Sequence, residues 1–104
     1  MVEEESDLKT IVVKQGSSFT INLWEDRTRG EQWVPTYDPS EFVMTGDDFL
    51  RTMSNNAVDA GRRQFEFEAL QSGMHRLEFH KRMAWKFTDE ARRIFLVDVK
   101  EAQG

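Results

Sequence analysis

The chain has 104 residues, with 14 Lys and Arg against 19 Asp and Glu and a formal net charge of −5, which fits one domain and argues against nucleic acid as a partner. It has no cysteine, which excludes a disulfide, a thiol nucleophile and a thiolate metal site and fits a reducing compartment. No apolar run approaches the roughly 20 residues that span a membrane, and Met1–Asp7 lacks the basic and apolar regions of a signal peptide, so the expectation is a cytoplasmic protein unless a leader has been removed.

The opening Glu3-Glu4-Glu5 reads as part of a solvated, frayed tail over residues 1–8, because like charges repel and nothing apolar anchors them. The folded domain is expected over residues 9–100. Thr10–Lys14 is a short strand. Ser18–Trp24 alternates, with Phe19, Ile21 and Leu23 on one face and Thr20 and Asn22 on the other. Gln32–Tyr37 is a third strand, stopped by Asp38-Pro39, and Glu41–Gly46 a fourth. Asp47–Asn56 carries neither period. It reads as a helical turn or an irregular loop, with Phe49, Leu50 and Met53 over an edge of the core.

Gln64–Leu70 alternates again, with Phe65, Phe67 and Ala69 inward and Glu66 and Glu68 outward. Gln71-Ser72-Gly73 turns the chain. Met74–Lys81 then puts His75, Leu77 and Phe79 on one face, and a hairpin would bring Arg76 and His80 to Glu66 and Glu68. Arg93–Lys100 buries Phe95, Val97 and Val99.

β-Branched and aromatic residues dominate these segments, and none sustains a helical period. A parallel α/β fold would need crossover helices. The pattern predicts an all-β fold, an antiparallel β-sandwich of about seven strands, with a small β-barrel as the competitor. The odd-numbered connections are tight: Gln15-Gly16-Ser17, Asp38-Pro39-Ser40 and Gln71-Ser72-Gly73. The even-numbered ones are long: Glu25 to Glu31, Asp47 to Gly61 and Arg82 to Arg92. If each connection reverses the chain, the three long ones share one end, where a rigid scaffold usually carries its function.

Those long connections carry a resemblance. The first reads Asp26-Arg27-Thr28-Arg29-Gly30, with Trp33 close behind; the second ends in Ala60-Gly61; the third opens Arg82-Met83-Ala84-Trp85. From about Lys9 to Lys100, in order and spacing, the chain resembles the chagasin family of cysteine-peptidase inhibitors, which are Ig-like sandwiches. That family carries an Asn-Pro-Thr-Thr-Gly loop, a Gly-rich loop and an Arg-Pro-Trp loop. Thr28, Gly30, Gly61 and Trp85 match it. Asp26, Arg27 and Arg29 replace Asn, Pro and Thr, Ala60 replaces a glycine, and Met83 and Ala84 stand where Arg and Pro are expected, with Arg82 one position early.

The resemblance implies a monomeric protein inhibitor, with no cofactor and no metal, whose partner is a papain-like cysteine peptidase. Its binding residues would be Arg27, Thr28, Arg29, Gly30, Ala60, Gly61, Arg82, Met83, Ala84 and Trp85. The Thr28 loop would plug the catalytic centre, the Ala60-Gly61 loop would lie along one side of the cleft, and the Trp85 loop would pack on the other. The replaced motif residues leave a second reading open: a non-inhibitory interaction domain that keeps the sandwich and has re-purposed its loop end.

Each of these residues also has a plain structural reading. Trp85 can cap the core, Trp33 reads as core, and Trp24 as a rim residue that supports the loops. Gly30 and Thr28 fit an ordinary turn, and Gly61 a turn glycine. Arg27, Arg29, Arg62, Arg63, Lys81, Arg82 and Lys86 form either a basic rim or pairs with Glu25, Asp26, Glu31, Asp47, Asp48 and Asp59 in the same loops. His75 and His80 fall on opposite faces of one strand and make no metal site. Glu66 and Glu68 read as a solvated ladder rather than an acid/base pair. No motif points to an enzyme.

Overall fold

The computed structural model describes residues 8–51, 60–83 and 89–102. Within them lie β1 (Leu8–Lys14), β2 (Ser18–Asp26), β3 (Glu31–Thr36), β4 (Phe42–Arg51), β5 (Ala60–Ala69), β6 (Gly73–Met83) and β7 (Asp89–Lys100). A 3-10 turn, Arg27–Arg29, joins β2 to β3. The strands form two sheets, ordered β1-β7-β6-β3 and β2-β5-β4. This is the all-β sandwich that the alternation predicts, rather than a closed barrel. Of the tail expected over residues 1–8, Leu8 opens β1 and the rest lies outside the described residues.

Four of the strand pairs are antiparallel. The fifth, β1 with β7, is parallel, running from Leu8 opposite Ile94 to Lys14 opposite Lys100. A chain that reverses at every connection points its first and seventh strands the same way, so their adjacency makes that pair parallel.

The tight connections cross between sheets. The turn at Gln71-Ser72-Gly73 carries the chain from β5 in one sheet to β6 in the other, and corrects the expected hairpin. Arg76 and His80 therefore pair with Glu78 of their own strand and not with Glu66 and Glu68. The apolar faces of β5 and β6 instead meet across the sandwich. Phe65, Phe67, Ala69, Leu77 and Phe79 are fully buried. The Phe65 and Phe79 ring centroids lie 5.0 Å apart, and those of Phe67 and Phe79 6.1 Å apart. Each such ring contributes about 1.5–3 kcal/mol by leaving water.

β4 continues five residues past its expected end at Gly46, and so corrects the reading of Asp47–Arg51 as helical turn or loop. The physical reason is a bulge. The register with β5 shifts between Met44 and Gly46, leaving Thr45 extra. Phe42 and Met44 face the core before the bulge; after it Asp47 and Phe49, of opposite parity, share the face of Arg63 and Phe65. A single period-two reading breaks at that point. A register shift between Lys81 and Arg82 similarly marks the far end of β6 and β7. Those strands reach Met83 and begin at Asp89, beyond the expected limits of Lys81 and Arg93.

His75 is largely buried, its Nδ1 3.2 Å from a Glu41 carboxylate oxygen and its Nε2 2.9 Å from the Gln71 carbonyl oxygen. It is a satisfied core-edge histidine, as its place beside Leu77 and Phe79 implies.

Candidate functional site

Strand register brings the roots of the three long connections together. On one sheet Asp26 sits opposite Ala60, and Arg51 opposite Gly61. On the other Glu31 sits opposite Met83, and Arg82 opposite Asp89. The strand ends that flank residues 27–30, 52–59 and 84–88 therefore all lie at that end.

The first connection is a closed turn. The Asp26 carboxylate accepts from the backbone N–H of Thr28 at 3.1 Å and from the Thr28 hydroxyl. Asp26 thus caps the 3-10 turn at its start. Gly30 ends it at φ 77°, donating its N–H to the Arg27 carbonyl at 3.0 Å. That left-handed conformation favours glycine. Behind the turn, the Asp26 N–H donates to the Glu31 carboxylate at 3.2 Å. The ordinary turn reading of Thr28 and Gly30 accounts for the loop's shape, and all three residues of the turn, Arg27, Thr28 and Arg29, are exposed, with Arg27 folded back on Glu25.

Below the turn lies an ionic cluster. The Glu25 carboxylate is fully buried. One oxygen accepts from the Trp33 N–H at 2.9 Å and from Arg63 Nη1 at 2.8 Å; the other accepts from Arg27 Nε at 2.8 Å. Arg63 reaches onward to Asp47, with Nε at 2.6 Å and Nη2 at 2.9 Å from its two oxygens. This bidentate contact holds the Asp47 carboxyl below the usual carboxylate range. The Arg27 guanidinium also lies 3.9 Å from the Phe49 ring centroid, so it ties the turn to β4. Two cations meet two carboxylates, and burial is tolerated because each charge is paired and hydrogen-bonded.

A basic rim therefore does not form from most of the residues expected to make it. Arg27, Arg29, Arg63 and Lys81 pair with Glu25, Glu31 and Asp47. The pairing alternative holds for these four. Arg62 is exposed, and among the described residues no carboxylate pairs with it. Lys86 lies outside the described residues.

Of the remaining expected site residues, Gly61 is a strand residue rather than a turn glycine. It is flanked by Glu25 and Arg51, and a Cβ there would lie 2.2 Å from the Leu50 carbonyl oxygen. Ala60 precedes it at the start of β5. Met83 is buried at the end of β6, with exposed Arg82 before it. Ala84 and Trp85 lie outside the described residues. Trp33 is core, 3% exposed, its indole N–H donating to the Trp24 carbonyl at 2.7 Å. Trp24 itself is 58% exposed on the opposite parity.

Glu25, Glu31, Asp47 and Arg63 were not singled out by motif. A signal existed for two of them. Glu25 continues the inward parity of Phe19, Ile21 and Leu23, and Arg63 that of Phe65, Phe67 and Ala69. Opposite charges on the inward face of two strands are a pair in waiting. Among the described residues no cluster of His, Asp or Glu could hold a metal ion.

A two-sheet sandwich with the roots of three long connections at one end is an Ig-like fold. The chain belongs to the chagasin family of peptidase inhibitors: the family model described as chagasin family peptidase inhibitor I42 matches residues 12–99. That is a family of inhibitors and not of enzymes. The fold is similar to that of EhICP2, a cysteine protease inhibitor from Entamoeba histolytica, with a TM-score of 0.79 and 16% identity, covering 93% of this chain and 91% of that one. It is also similar to amebosin, with a TM-score of 0.68, 17% identity and coverage of 89% and 97%. PbICP-C, solved in complex with falcipain-2, has a TM-score of 0.65, 15% identity and coverage of 89% of each chain. No curated protein sequence matches the chain.

Proposed function

We propose that this domain is a reversible inhibitor of papain-like cysteine peptidases, acting through the end of the sandwich that bears the three long connections. One observation carries the reading: the strand ends that flank the three long connections lie together at one end, and the first connection is held in a closed turn by Asp26, Gly30 and Glu31. The family match and the complex of PbICP-C with falcipain-2 support the partner class.

In this reading the tip of the 3-10 turn, with Thr28 and Arg29 outward, enters the catalytic centre. The β4–β5 connection, rooted at Arg51 and Ala60, lies along one wall of the cleft, and the β6–β7 connection beyond Met83 packs on the other. No covalent bond forms. A turn already fixed in shape loses little conformational freedom on docking, so more of the contact energy appears as affinity. The buried Glu25–Arg63 pair, extended by Asp47 at the surface, positions the turn without touching the partner. The domain is read as a monomer that needs no cofactor.

The non-inhibitory alternative has one observation in its favour. Arg27, at a motif position, turns its guanidinium inward to Glu25 and Phe49 instead of towards a partner. Titration of papain or a cathepsin with the purified domain separates the two. The inhibitor reading expects competitive inhibition that is reversed on dilution, at a one-to-one end point. Full peptidase activity at saturating domain, across several papain-like enzymes, would favour the interaction domain.

A further inference from the structure

The outer face of the β2-β5-β4 sheet is polar along most of its length. Asn22, Gln64 and Asp48 form one cross-strand row, and Thr20, Glu66 and Gly46 the next. The row nearest the loop end differs. There Arg62 lies between Trp24 and Leu50, and all three are exposed, Trp24 at 58% and Leu50 at 41%. At the same end of the other sheet the outward positions are Gln32 and Arg82.

Nothing within the sandwich calls for an outward Trp here. Among the described residues the Trp24 side chain makes no hydrogen bond or ring contact, while its backbone carbonyl accepts from the Trp33 indole. Trp24 is also among the residues that line an open cleft of about 610 Å³, together with Lys9 and Lys81. An exposed aromatic beside Arg62, with Lys9 lining the same cleft, offers a partner apolar area and positive charge together. Trp and Arg are the residues that dominate protein interfaces.

The row lies at the root of the loops. Trp24 is two residues behind Asp26, and Arg62 two behind Ala60, which is about 7 Å along a strand. A protein engaged with the three connections would therefore pass over this row on one side.

Resting on the inhibitor reading above, we propose that Trp24, Arg62 and Leu50 form a second contact surface for the same peptidase, outside its catalytic cleft. The peptidase surface it fits is an apolar patch flanked by carboxylates, beside the cleft wall taken by the β4–β5 connection. The surface sets which peptidase is held most tightly, while the loops block the chemistry.

The test is inhibition kinetics with Trp24→Ala and Arg62→Glu, with Lys14→Glu at the opposite end as control. Side chains this exposed can be replaced with little effect on folding, and circular dichroism melting checks it. The expected result is a rise in the inhibition constant of about 10-fold or more for Trp24→Ala, as for an interface aromatic. Arg62→Glu is expected to slow association at low salt, with the effect fading as salt is raised. Wild-type inhibition with unchanged constants and rates in both variants overturns this inference and leaves the loop reading standing. A wild-type domain that inhibits no papain-like peptidase overturns both.

Discussion

The Arg63 guanidinium lies 2.8 Å from the Glu25 carboxylate, and the carboxylate is inaccessible to solvent. The two residues stand on adjacent strands, β2 and β5, at the root of the loop end. Glu25 also binds the first residue of the turn through Arg27 and the start of the core through the Trp33 N–H. One carboxylate thus links the loop that carries Thr28 to both sheets.

Replacing Glu25 by Ala leaves Arg63 half-paired and the Trp33 N–H without its acceptor. Removing one partner of a buried ion pair costs about 3–5 kcal/mol. Urea denaturation is expected to show that loss, and the inhibition constant to rise with it, because the turn loses its anchor. A loss under about 1 kcal/mol would show that the cluster is replaceable by packing.

The Asp47 carboxyl is held below its ordinary value of 3.8 by its hydrogen bond to Arg63. A depressed folded-state value means the contact stabilises the fold above the ordinary carboxylate range. That stabilisation is lost as pH falls through the lowered value. The urea midpoint of Asp47→Asn is therefore expected below wild type at neutral pH, and the gap should narrow below about pH 4. A gap that stays constant down to pH 2 would locate the acid sensitivity elsewhere.

Gly61→Ala would set a Cβ against the Leu50 carbonyl, at 2.2 Å in the present geometry. Backbone must move, so the expected loss is at the upper end of the roughly 1–3 kcal/mol typical of overpacking, or beyond. Thermal melting measures it. A stable Gly61→Ala domain with weakened inhibition would instead make Gly61 a contact residue.

The strand faces are tested by a pair of truncations. Phe67 is fully buried between the sheets, and Thr20 is exposed on the neighbouring strand. Phe67→Ala is expected to cost about 3–5 kcal/mol and Thr20→Ala under about 0.5. Similar costs at both positions would contradict the register.

Where alternation was unbroken, the sequence revealed the strand faces: β2, β5, β6 and the last part of β7 were legible residue by residue. β4 was not, because the Thr45 bulge reverses its parity in mid-strand. Sheet membership was hidden for a different reason. The apolar face of β5 meets β6 equally well beside it in a hairpin or opposite it across a sandwich, and a tight turn permits both. At the loop end the sequence showed the three connections and the residues Thr28 and Gly30. It did not show that Arg27 and Arg63 turn inward, since a charged residue near a loop reads by default as solvated. The pairing of these cations with Glu25 and Asp47 was one of two open readings, and the inward parity of Glu25 and Arg63 was the sign that favours it.

The most direct test of the account is the inhibition constant of Thr28→Glu against a papain-like peptidase, measured beside wild type. Thr28 is exposed at the tip of the turn, and among the described residues its hydrogen bonds run only to Asp26. The account predicts a rise of about 30-fold or more, equivalent to about 2 kcal/mol, with little change in melting temperature. An unchanged inhibition constant in a folded Thr28→Glu domain would contradict entry of this turn into the catalytic cleft.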